Sequence, residues 1–420
     1  MPPPGKNARA LSLLSGFCFF LSAVEYMIPK PLPFIRLGIA NLPLLLALDI
    51  MPFPAFLLLS ALKICGQALI SGTLFSYVFL FSLGGTGVSA VLMYLLRRGL
   101  GKKRISLIGT SAAGALASNG VQLVLAWLFV FGSGIRYAAV PILALGIVTG
   151  TILGIAAEYF TRRSRWYAQV LNGELLMNPG TDAGRTENRI ALEPKKHPVR
   201  SSSPGKGAGR FRKIREAYFQ KNFGSRELII VGLFMIPALL FNPDTGMRIV
   251  QFLFFWALAW LSGKKNNPLI TICVISGIVF FNLLVPYGEI LFSVGPLNIT
   301  SGALQGGIRR AVTLEGLFML SRCCIRKDIA LPGQFGEIAN ESFRIFSHLG
   351  EEFSIAGEDK KLFRGQNWVK RLDELLLAYG ERLGPVHNTA EKTETSLKAK
   401  IILAAVIVLS WVPLVLVKII

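Results

Sequence analysis

Long apolar runs and short basic clusters alternate along most of the chain. The first group of apolar runs lies at about residues 9–28, 36–50, 53–71, 75–96, 106–132 and 138–160. Most of these runs are long enough for a helix that crosses the roughly 30 Å hydrocarbon layer of a bilayer. The second run is short, which favours a tilted helix or one that lines a cavity. The pattern predicts a six-helix membrane block over residues 1–160.

A second group of apolar runs follows a long polar stretch. It lies at about residues 227–242, 247–262, 267–286, 303–322 and 399–417. Residues 287–302 are half polar, and we expect them to form an outer loop or a re-entrant piece. The sequence therefore predicts an all-α, polytopic membrane protein with about eleven transmembrane helices. The second group belongs to a second block over residues 226–420.

The polar stretch at residues 161–225 separates the two groups. It contains 14 Lys and Arg against 5 Asp and Glu, and its segment SSSPGKGAGR is rich in serine and glycine. This composition predicts a cytoplasmic linker. The basic charge is typical of a positive-inside loop, and attraction to anionic lipid is the alternative interpretation.

A further polar stretch, at residues 328–398, has helical periodicity. We expect cytoplasmic amphipathic helices here, held between two membrane segments. The apolar stripe on the second of them must be buried, either against the preceding cytoplasmic helix or against a partner protein. The stripe comprises Trp368, Leu372, Leu375, Leu376, Tyr379 and Leu383.

The basic clusters predict the orientation of the chain in the membrane. Lys6 and Arg9 precede the first apolar run, and further clusters at residues 97–104 and 162–165 follow the fourth and sixth runs. Lys and Arg concentrate in cytoplasmic loops. We therefore expect a multi-pass protein of the plasma membrane whose N-terminus, linker and 328–398 region are cytoplasmic. The same loops account for the net charge of +21, so this charge does not indicate a nucleic-acid partner.

Motifs of known catalytic chemistry are missing from the sequence. It contains no P-loop for ATP, no Asp-Asp pair for a magnesium–diphosphate site, no H-E-x-x-H zinc motif and no G-x-S-x-G nucleophile elbow. We therefore predict that the protein is not an enzyme. We also expect it to hold no metal and to bind no cofactor by itself.

Several polar residues lie inside or beside the apolar runs of the first block. Lys63 and Gln67 are four residues apart on one helix face, and Asn119 and Gln122 are three residues apart on another. An ionisable group at the centre of a membrane helix costs roughly 2.5–3.5 kcal/mol, so such groups often mark a cavity. They indicate either a substrate-binding pocket or hydrogen bonding between helices. The candidate binding residues are Glu25, Arg36, Asn41, Lys63, Gln67, Asn119 and Gln122.

The segment EYMIPKPLPFIRLGIAN, at residues 25–41, places charge and proline between two apolar runs. Its alternating prolines remove backbone donors and favour an extended outer turn. We expect Glu25 and Arg36 to form an ion pair near Asn41, at the outer mouth of the first block. A substrate would arrive at this end.

Glycines recur at every fourth position in the segment GIVTGTILG. They are Gly146, Gly150 and Gly154, and together they form a face that lets another helix approach closely. The face predicts helix packing within the first block. Docking on the second block is the alternative.

Four segments of the first block resemble a known family. They are AVEYMIPKPLPFIRLGIAN, GQALISGTLFSYVFLFSLGGTGVSA, ASNGVQLVLA and ILALGIVTGTILG. Through them, residues 10–160 resemble the Gx transporter family, which is also named heptaprenyl diphosphate synthase component I. That family looks like a relative of the substrate-binding S components of energy-coupling factor (ECF) transporters. The resemblance implies a small-molecule substrate in the first block.

The second block is similar to the T component of the same transporters. The similarity rests on LFNPDTG, FFNLLVPYGEILF, ITSGALQGGIRRAVTLEGLFMLSR and LPGQFG. It implies ECF-type ATPase subunits as partners, and these subunits would bind the ATP that drives the assembly. In LFRGQ, Arg364 and Gly365 correspond to part of the Ala-Arg-Gly signature of coupling helices, with Phe363 in place of alanine. The residues expected in ATPase coupling are Arg364, Gly365, Trp368, Leu372, Leu376 and Tyr379.

These observations predict a fused S-plus-T membrane subunit of an ECF-type importer. The alternative function is that of a non-catalytic membrane partner of a polyprenyl diphosphate synthase or an isoprenoid-quinone pathway. A membrane scaffold without a ligand is a third class. The proteins that co-purify with the chain distinguish the first two functions, and stabilisation by a ligand distinguishes them from the third.

Overall fold

The computed structural model describes the greater part of the chain. The described residues are 6–27, 38–172, 208–264, 266–295, 297–326, 333–356, 370, 372–374, 376–377 and 395–419. Most of them are helical, in agreement with the predicted helical class. The proline segment at residues 28–37 lies outside the described residues.

The first block and the start of the linker contain seven α-helices in their described part, of which the last lies in the linker. They are α1 (Lys6–Met27), α2 (Leu42–Ala47), α3 (Phe53–Ser71), α4 (Tyr77–Gly99), α5 (Leu107–Ala126), α6 (Arg136–Arg163) and α7 (Arg165–Asn172). A 3-10 turn (Ile39–Asn41) precedes α2. A π-helical turn (Trp127–Phe131) and a 3-10 turn (Gly132–Ile135) join α5 to α6.

The second block is also built mainly from helices, interrupted by one hairpin. It follows α8 (Ala208–Asn222), which lies at the end of the linker. Its elements are α9 (Ser225–Leu240), α10 (Thr245–Leu261), α11 (Pro268–Leu283), β1 (Ile290–Val294), β2 (Leu297–Thr300), α12 (Ser301–Cys324), α13 (Gly333–Ala356) and α14 (Leu397–Ile419). The described residues among 370–377 are helical too.

Local sequence signals explain where several helices begin and end. The Ser106 side chain accepts the Gly109 N–H at 3.1 Å and caps α5. The Asp244 side chain accepts the Met247 N–H at 2.7 Å and caps α10. Each cap satisfies a backbone donor that the first turn of a helix leaves without a partner. At the other end of α3, Gly72 adopts φ +66° and stops the helix.

In two segments the structure differs from the prediction. The run at residues 36–50 contains no spanning helix, because α2 has only 6 residues, all of them buried. Pro43 starts α2 and Pro52 precedes α3, so the polypeptide turns instead of continuing one helix. The segment at residues 287–302 contains an antiparallel hairpin of β1 and β2, with Gly295 at φ +58° beside its turn. Its β-branched and aromatic residues favour strands over helix.

The predicted number of spanning helices is not confirmed. Four segments are long and apolar enough to cross a membrane: Phe53–Ser71, Tyr77–Gly99, Leu107–Arg163 and Leu397–Val417. The number rises to five if α8 and α9, which meet at 96°, are counted as one span. The apolar parts of α1, α10 and α11 are shorter, and the polar residues in α12 lower its hydropathy. The described residues thus fit a multi-pass membrane protein.

Buried side chains form three apolar clusters. One joins α1, α2 and α3 to α7, to α13 and to the described helical residues Leu372 and Leu376. Another lies between α9, α10, α12 and α14. The third lies where the two blocks meet and includes Phe81, Phe131 and Leu314. The blocks are therefore packed on each other near the hairpin end of α12 and along α1. They also meet near the other end of α12, where the Phe75 N–H donates to the Ser321 hydroxyl at 3.0 Å.

The contact along α1 involves the amphipathic helix α13. The Ser12 hydroxyl donates to the Glu341 carboxylate at 2.8 Å, and the rings of Phe19 and Phe343 lie 4.8 Å apart. Close approach depends on Gly16, because a Cβ atom there would lie 2.7 Å from Ile345. The helix predicted to be cytoplasmic therefore packs directly on the first helix of the first block.

Candidate functional site

A polar cavity lies inside the first block, between helices that are far apart in the sequence. Six of the seven polar residues singled out in the sequence line it: Glu25, Asn41, Lys63, Gln67, Asn119 and Gln122. They come from α1, the first 3-10 turn, α3 and α5. The seventh, Arg36, lies outside the described residues, and so does the proposed ion pair between Glu25 and Arg36.

Glu25 forms one end of the cavity and organises the chain that follows α1. Its carboxylate accepts the backbone N–H groups of Gly38 at 3.2 Å and Ala40 at 3.3 Å. The Glu25 side chain is buried, and backbone donors of this kind stabilise a buried carboxylate. Gly38 has φ +81°, a conformation that glycine adopts without steric cost. The polypeptide can therefore turn back over the end of α1.

Lys63 projects from the middle of α3 into the same cavity. Its ammonium group donates to the side-chain oxygen of Asn41 and lies 3.4 Å from the Thr86 hydroxyl. Only 3% of Lys63 is exposed. An ammonium group buried this deeply requires polar partners, and the lining of the cavity supplies them. The interaction joins α3 to α4 and to the turn before α2.

The opposite wall comes from α5 and α6. The Asn119 amide donates to the Ile142 carbonyl at 2.8 Å, and the Gln122 amide donates to the Ser118 hydroxyl at 3.0 Å. Gly146 makes this wall thin, because a Cβ atom there would lie 2.1 Å from the Asn119 amide nitrogen. Side-chain amides thus face a cavity that the backbone of α6 closes.

The glycine face of α6 lies against α5 over its whole length. A Cβ atom on Gly150 would lie 2.7 Å from Ala115, and one on Gly154 would lie 2.5 Å from the Ile108 Cα. Gly146, Gly150 and Gly154 are all buried. They occupy the packing position within the first block and leave no room for a helix of the second block.

Size and polarity together describe what the cavity can hold. Its volume is about 30 Å³, close to the share of liquid volume taken by one water molecule. The lining offers a carboxylate, an ammonium group, amides and hydroxyls, so it contains donors and acceptors of both charge signs. Such a lining suits a small, polar or zwitterionic molecule. A molecule larger than water requires movement of the lining side chains.

Some lining residues were not singled out in the sequence. They are Thr86, Ser118 and Thr149. Ser118 lies four residues before Gln122 and therefore shares its helix face, which is a signal that could have identified it. Thr86 lies in the glycine-rich segment SLGGTG, whose glycines indicate helix packing rather than a binding site.

The residues expected to couple to ATPases are only partly described. Arg364, Gly365, Trp368 and Tyr379 lie outside the described residues. Leu372 is 5% exposed and Leu376 is 1% exposed, in the same apolar cluster as Trp166, Ile345 and Leu349. The stripe is therefore covered by the chain itself at these two positions. In this state the two leucines do not offer a surface to a partner.

Asp373 lies between those two leucines and caps α7, which follows the first block. Its carboxylate accepts hydrogen bonds from the Ser164 hydroxyl and from the backbone N–H groups of Arg165 and Trp166. Each of the two backbone bonds is 3.0 Å long. These N–H groups belong to the first turn of α7. A carboxylate at a helix N-terminus is favourable electrostatically and satisfies unpaired donors. Asp373 therefore ties the helical residues around 372–377 to the end of the first block.

Comparison with known proteins assigns the two parts separately. Residues 14–160 match the family model described as heptaprenyl diphosphate synthase component I. Residues 226–327 match the model described as a domain of unknown function, DUF8519. The chain matches no curated protein and no solved structure. The first match includes all the lining residues of the polar cavity, whereas the similarity of the second block to a T component stays a prediction.

Proposed function

Since residues 14–160 match the heptaprenyl diphosphate synthase component I family model, we propose that this membrane protein is the membrane subunit of an ECF-type ATP-driven importer. The first block binds a small polar molecule in the cavity around Lys63. The second block transmits the motion of separate ATPase subunits to the first. The N-terminus and the linker face the cytoplasm of the cell, and the chain lies in the plasma membrane.

The convergence of six polar side chains on one cavity is the observation that carries this proposal. Polar groups within membrane helices are expensive and are retained where they line a path or a binding site. Hydrogen bonding between helices alone would need pairs of polar groups. Here a carboxylate, an ammonium group and four amides from separate elements surround a common space, which favours a ligand.

Two contacts between the blocks support the coupling role. α13 packs along α1 through Gly16, and Asp373 caps α7. Both connect residues 333–377 to the block that contains the cavity. A displacement of these helices by a partner would therefore reach α1, which carries Glu25 at its other end.

Ligand binding is tested by the small molecules that co-purify with the chain in mild detergent, identified by mass spectrometry. We expect a small molecule with the wild type and its loss with Lys63→Met. Lys102→Met serves as the control, because Lys102 is an exposed lysine outside the cavity. A truncated charged partner typically costs a ligand about 2–5 kcal/mol. Equal retention by both variants would contradict the binding role of the cavity.

Coupling is tested separately with Gly16→Leu, which places a large side chain against Ile345. We expect this variant to retain the small molecule but to lose ATP-driven uptake with the ATPases that co-purify. Gly120→Leu is the control, because no atom lies within 4 Å of its Cβ position. Uptake by Gly16→Leu at the wild-type rate would exclude coupling through this contact.

The description of the matching family as component I of a heptaprenyl diphosphate synthase supports the second candidate function, a non-catalytic membrane partner of a polyprenyl diphosphate synthase. The same purification distinguishes the two. ATPase subunits in the eluate support the importer, and a soluble synthase supports the alternative.

Orientation is tested by labelling single cysteines on a background without the five natural cysteines. Ser201→Cys in the linker is expected to resist a membrane-impermeant reagent in whole cells and to react after lysis. Labelling of Ser201→Cys in whole cells would contradict the proposed cytoplasmic linker.

A further inference from the structure

A second cavity, separate from the polar cavity, lies where the two blocks meet. Its volume is about 280 Å³. The first block contributes Trp127, Leu128 and residues 131–134, from the break between α5 and α6. The second block contributes Asn282, Val285, Tyr287 and Arg310. The cavity is therefore large enough for a small organic group.

The break between α5 and α6 shapes one wall of this cavity. The chain passes from a π-helical turn to a 3-10 turn, and Gly132 adopts φ +53° between them. A Cβ atom on Gly132 would lie 2.2 Å from the Arg310 guanidinium, and one on Gly134 would lie 2.0 Å from the Phe281 carbonyl. Glycine at these positions lets the broken helix lie directly against α11 and α12.

Asn282 connects the two blocks at this point. Its amide nitrogen donates to the Val130 carbonyl at 3.2 Å and to the Ile278 carbonyl at 2.8 Å. Its amide oxygen accepts from Arg310 at 3.2 Å. Asn282 is 6% exposed, so these bonds form out of contact with water. One bonding face of the Arg310 guanidinium is thus fixed toward Asn282.

Arg310 has no carboxylate partner within ion-pair distance among the residues that the structure describes. It occurs at the tenth position of α12, well inside a helix of 24 residues. A guanidinium carries five N–H donors and stays charged, so the single bond to Asn282 leaves donors for another acceptor. Arg310 is partly exposed to the cavity, and an arginine inside a membrane protein usually indicates a ligand or a path.

We propose that this cavity binds the anionic group of an amphiphile, with Arg310 as the charged partner of a phosphate or carboxylate. The hydroxyl-bearing residues Ser133 and Tyr287 line the same cavity and supply further hydrogen-bond donors. A planar guanidinium pairs with such oxyanions through two parallel N–H bonds.

The exposed rim of the cavity fits the apolar part of the ligand. Trp127 is 50% exposed and Leu128 is 51% exposed, so the rim presents apolar side chains to the surroundings. An acyl or other hydrocarbon chain can therefore lie along these side chains while the headgroup reaches Arg310. Occupancy would join the blocks, because the lining comes from both.

The test uses the full chain purified in mild detergent and native mass spectrometry of bound lipid. We expect the wild type to retain dioleoylphosphatidylglycerol in preference to dioleoylphosphatidylcholine. Arg310→Gln is expected to lower this retention about tenfold, because a charge-assisted hydrogen-bonded pair is lost. Arg309→Gln is the matched control, since Arg309 is the exposed neighbour in α12 and lines no part of this cavity.

A second measurement separates the two sources of the anion. If inorganic phosphate raises the unfolding temperature of the wild type but not of Arg310→Gln, and no lipid is retained, the occupant is a soluble anion and the anion site stands. If Arg310→Gln does not fold, Val285→Trp fills the cavity and leaves the bond between Arg310 and Asn282 in place. Two results together would overturn the proposal. One is that Arg310→Gln, or Val285→Trp where that variant is used, retains as much lipid as Arg309→Gln. The other is that phosphate changes the unfolding temperature of the wild type and of Arg310→Gln equally.

Discussion

Two buried cations, Lys63 in α3 and Arg248 in α10, are 3% and 6% exposed and yet have different surroundings. The Arg248 guanidinium donates to the carbonyls of Asn242 at 2.5 Å and Leu240 at 2.9 Å. It also donates to the Thr313 hydroxyl at 2.7 Å. The two carbonyls lie at the end of α9, where a helix leaves acceptors without internal partners. Arg248 thus completes a helix terminus.

The Lys63 ammonium is surrounded instead by side chains that line a cavity. Its bonds to Asn41 and Thr86 use groups that can rotate and that a ligand can replace. The comparison shows that burial and charge alone do not identify a binding residue. The partners decide: fixed backbone carbonyls indicate a structural role, and mobile side chains around a cavity indicate a binding role.

The largest effect is expected from removing the structural cation. Arg248→Met leaves the carbonyls of Leu240 and Asn242 and the Thr313 hydroxyl without their donor. We expect a loss of about 3–5 kcal/mol in the free energy of unfolding, as for other broken buried networks. Arg309→Met, an exposed change in α12, is the control. Unfolding in a denaturing detergent measures the stability of both variants. A loss below about 1 kcal/mol for Arg248→Met would contradict the structural role of Arg248.

A third cation, which forms an ion pair with a carboxylate, extends the comparison of the two buried cations. It lies at the basic end of the first block. Asp49, in the loop before α3, accepts two bonds from Arg97, at 3.1 and 2.8 Å. Burial alone raises the pKa of Asp49, but the Arg97 guanidinium and the nearby Lys102 ammonium outweigh it and hold the pKa below its usual range. We expect Asp49→Asn to cost about 1.5–3 kcal/mol at pH 7.

The sign of the Asp49 effect follows from its lowered pKa. The unfolded carboxyl has a pKa of about 3.9, so the ion pair contributes fully above that pH. Its contribution is lost as the pH falls through the lower pKa of the folded state. Unfolding measured from pH 3 to pH 7 should show a steeper acid loss for the wild type than for Asp49→Asn. Parallel curves would contradict this assignment.

A smaller effect is expected at the turn that holds Glu25. Gly38→Ala places a Cβ atom on a residue with φ +81°, which costs about 1–2 kcal/mol in a left-handed conformation. It also disturbs the N–H group that Glu25 accepts. Gly120→Ala, in the open face of α5, should be neutral or slightly stabilising. Equal thermal stability of the two variants would argue against a strained turn.

The smallest effect on stability is expected from the cavity cation itself. Lys63→Met exchanges a buried charge for an apolar side chain of similar length, so the desolvation cost of the ammonium group is removed together with its bonds to the neutral Asn41 and Thr86 side chains. We expect less than about 1 kcal/mol of change in stability alongside the loss of ligand described above. A loss as large as that of Arg248→Met would show that Lys63 is structural and would end the distinction between the two cations.

The polar cavity was accessible from sequence because membrane helices make polar residues conspicuous. Lys63 and Gln67, and Asn119 and Gln122, share faces by spacing alone. The partners of Glu25 were not accessible, because backbone N–H groups carry no sequence signal. The buried position of Leu372 and Leu376 was also undecided, since an apolar stripe predicts burial but not the surface that covers it.

By itself the sequence determined the positions of most helices and the glycine face of α6, because these depend on residues close together in the chain. Only the tertiary structure decided that residues 36–50 contain a short buried helix and that residues 287–302 contain a hairpin. It also decided that α13 lies on α1 and that Arg310 meets the broken helix beside Gly132. The positions of α13 and Arg310 depend on contacts between residues distant in the sequence, and local periodicity contains no information about them. The short helix and the hairpin depend on nearby prolines and strand-favouring residues, but an apolar run by itself does not distinguish them from a spanning helix or an irregular loop.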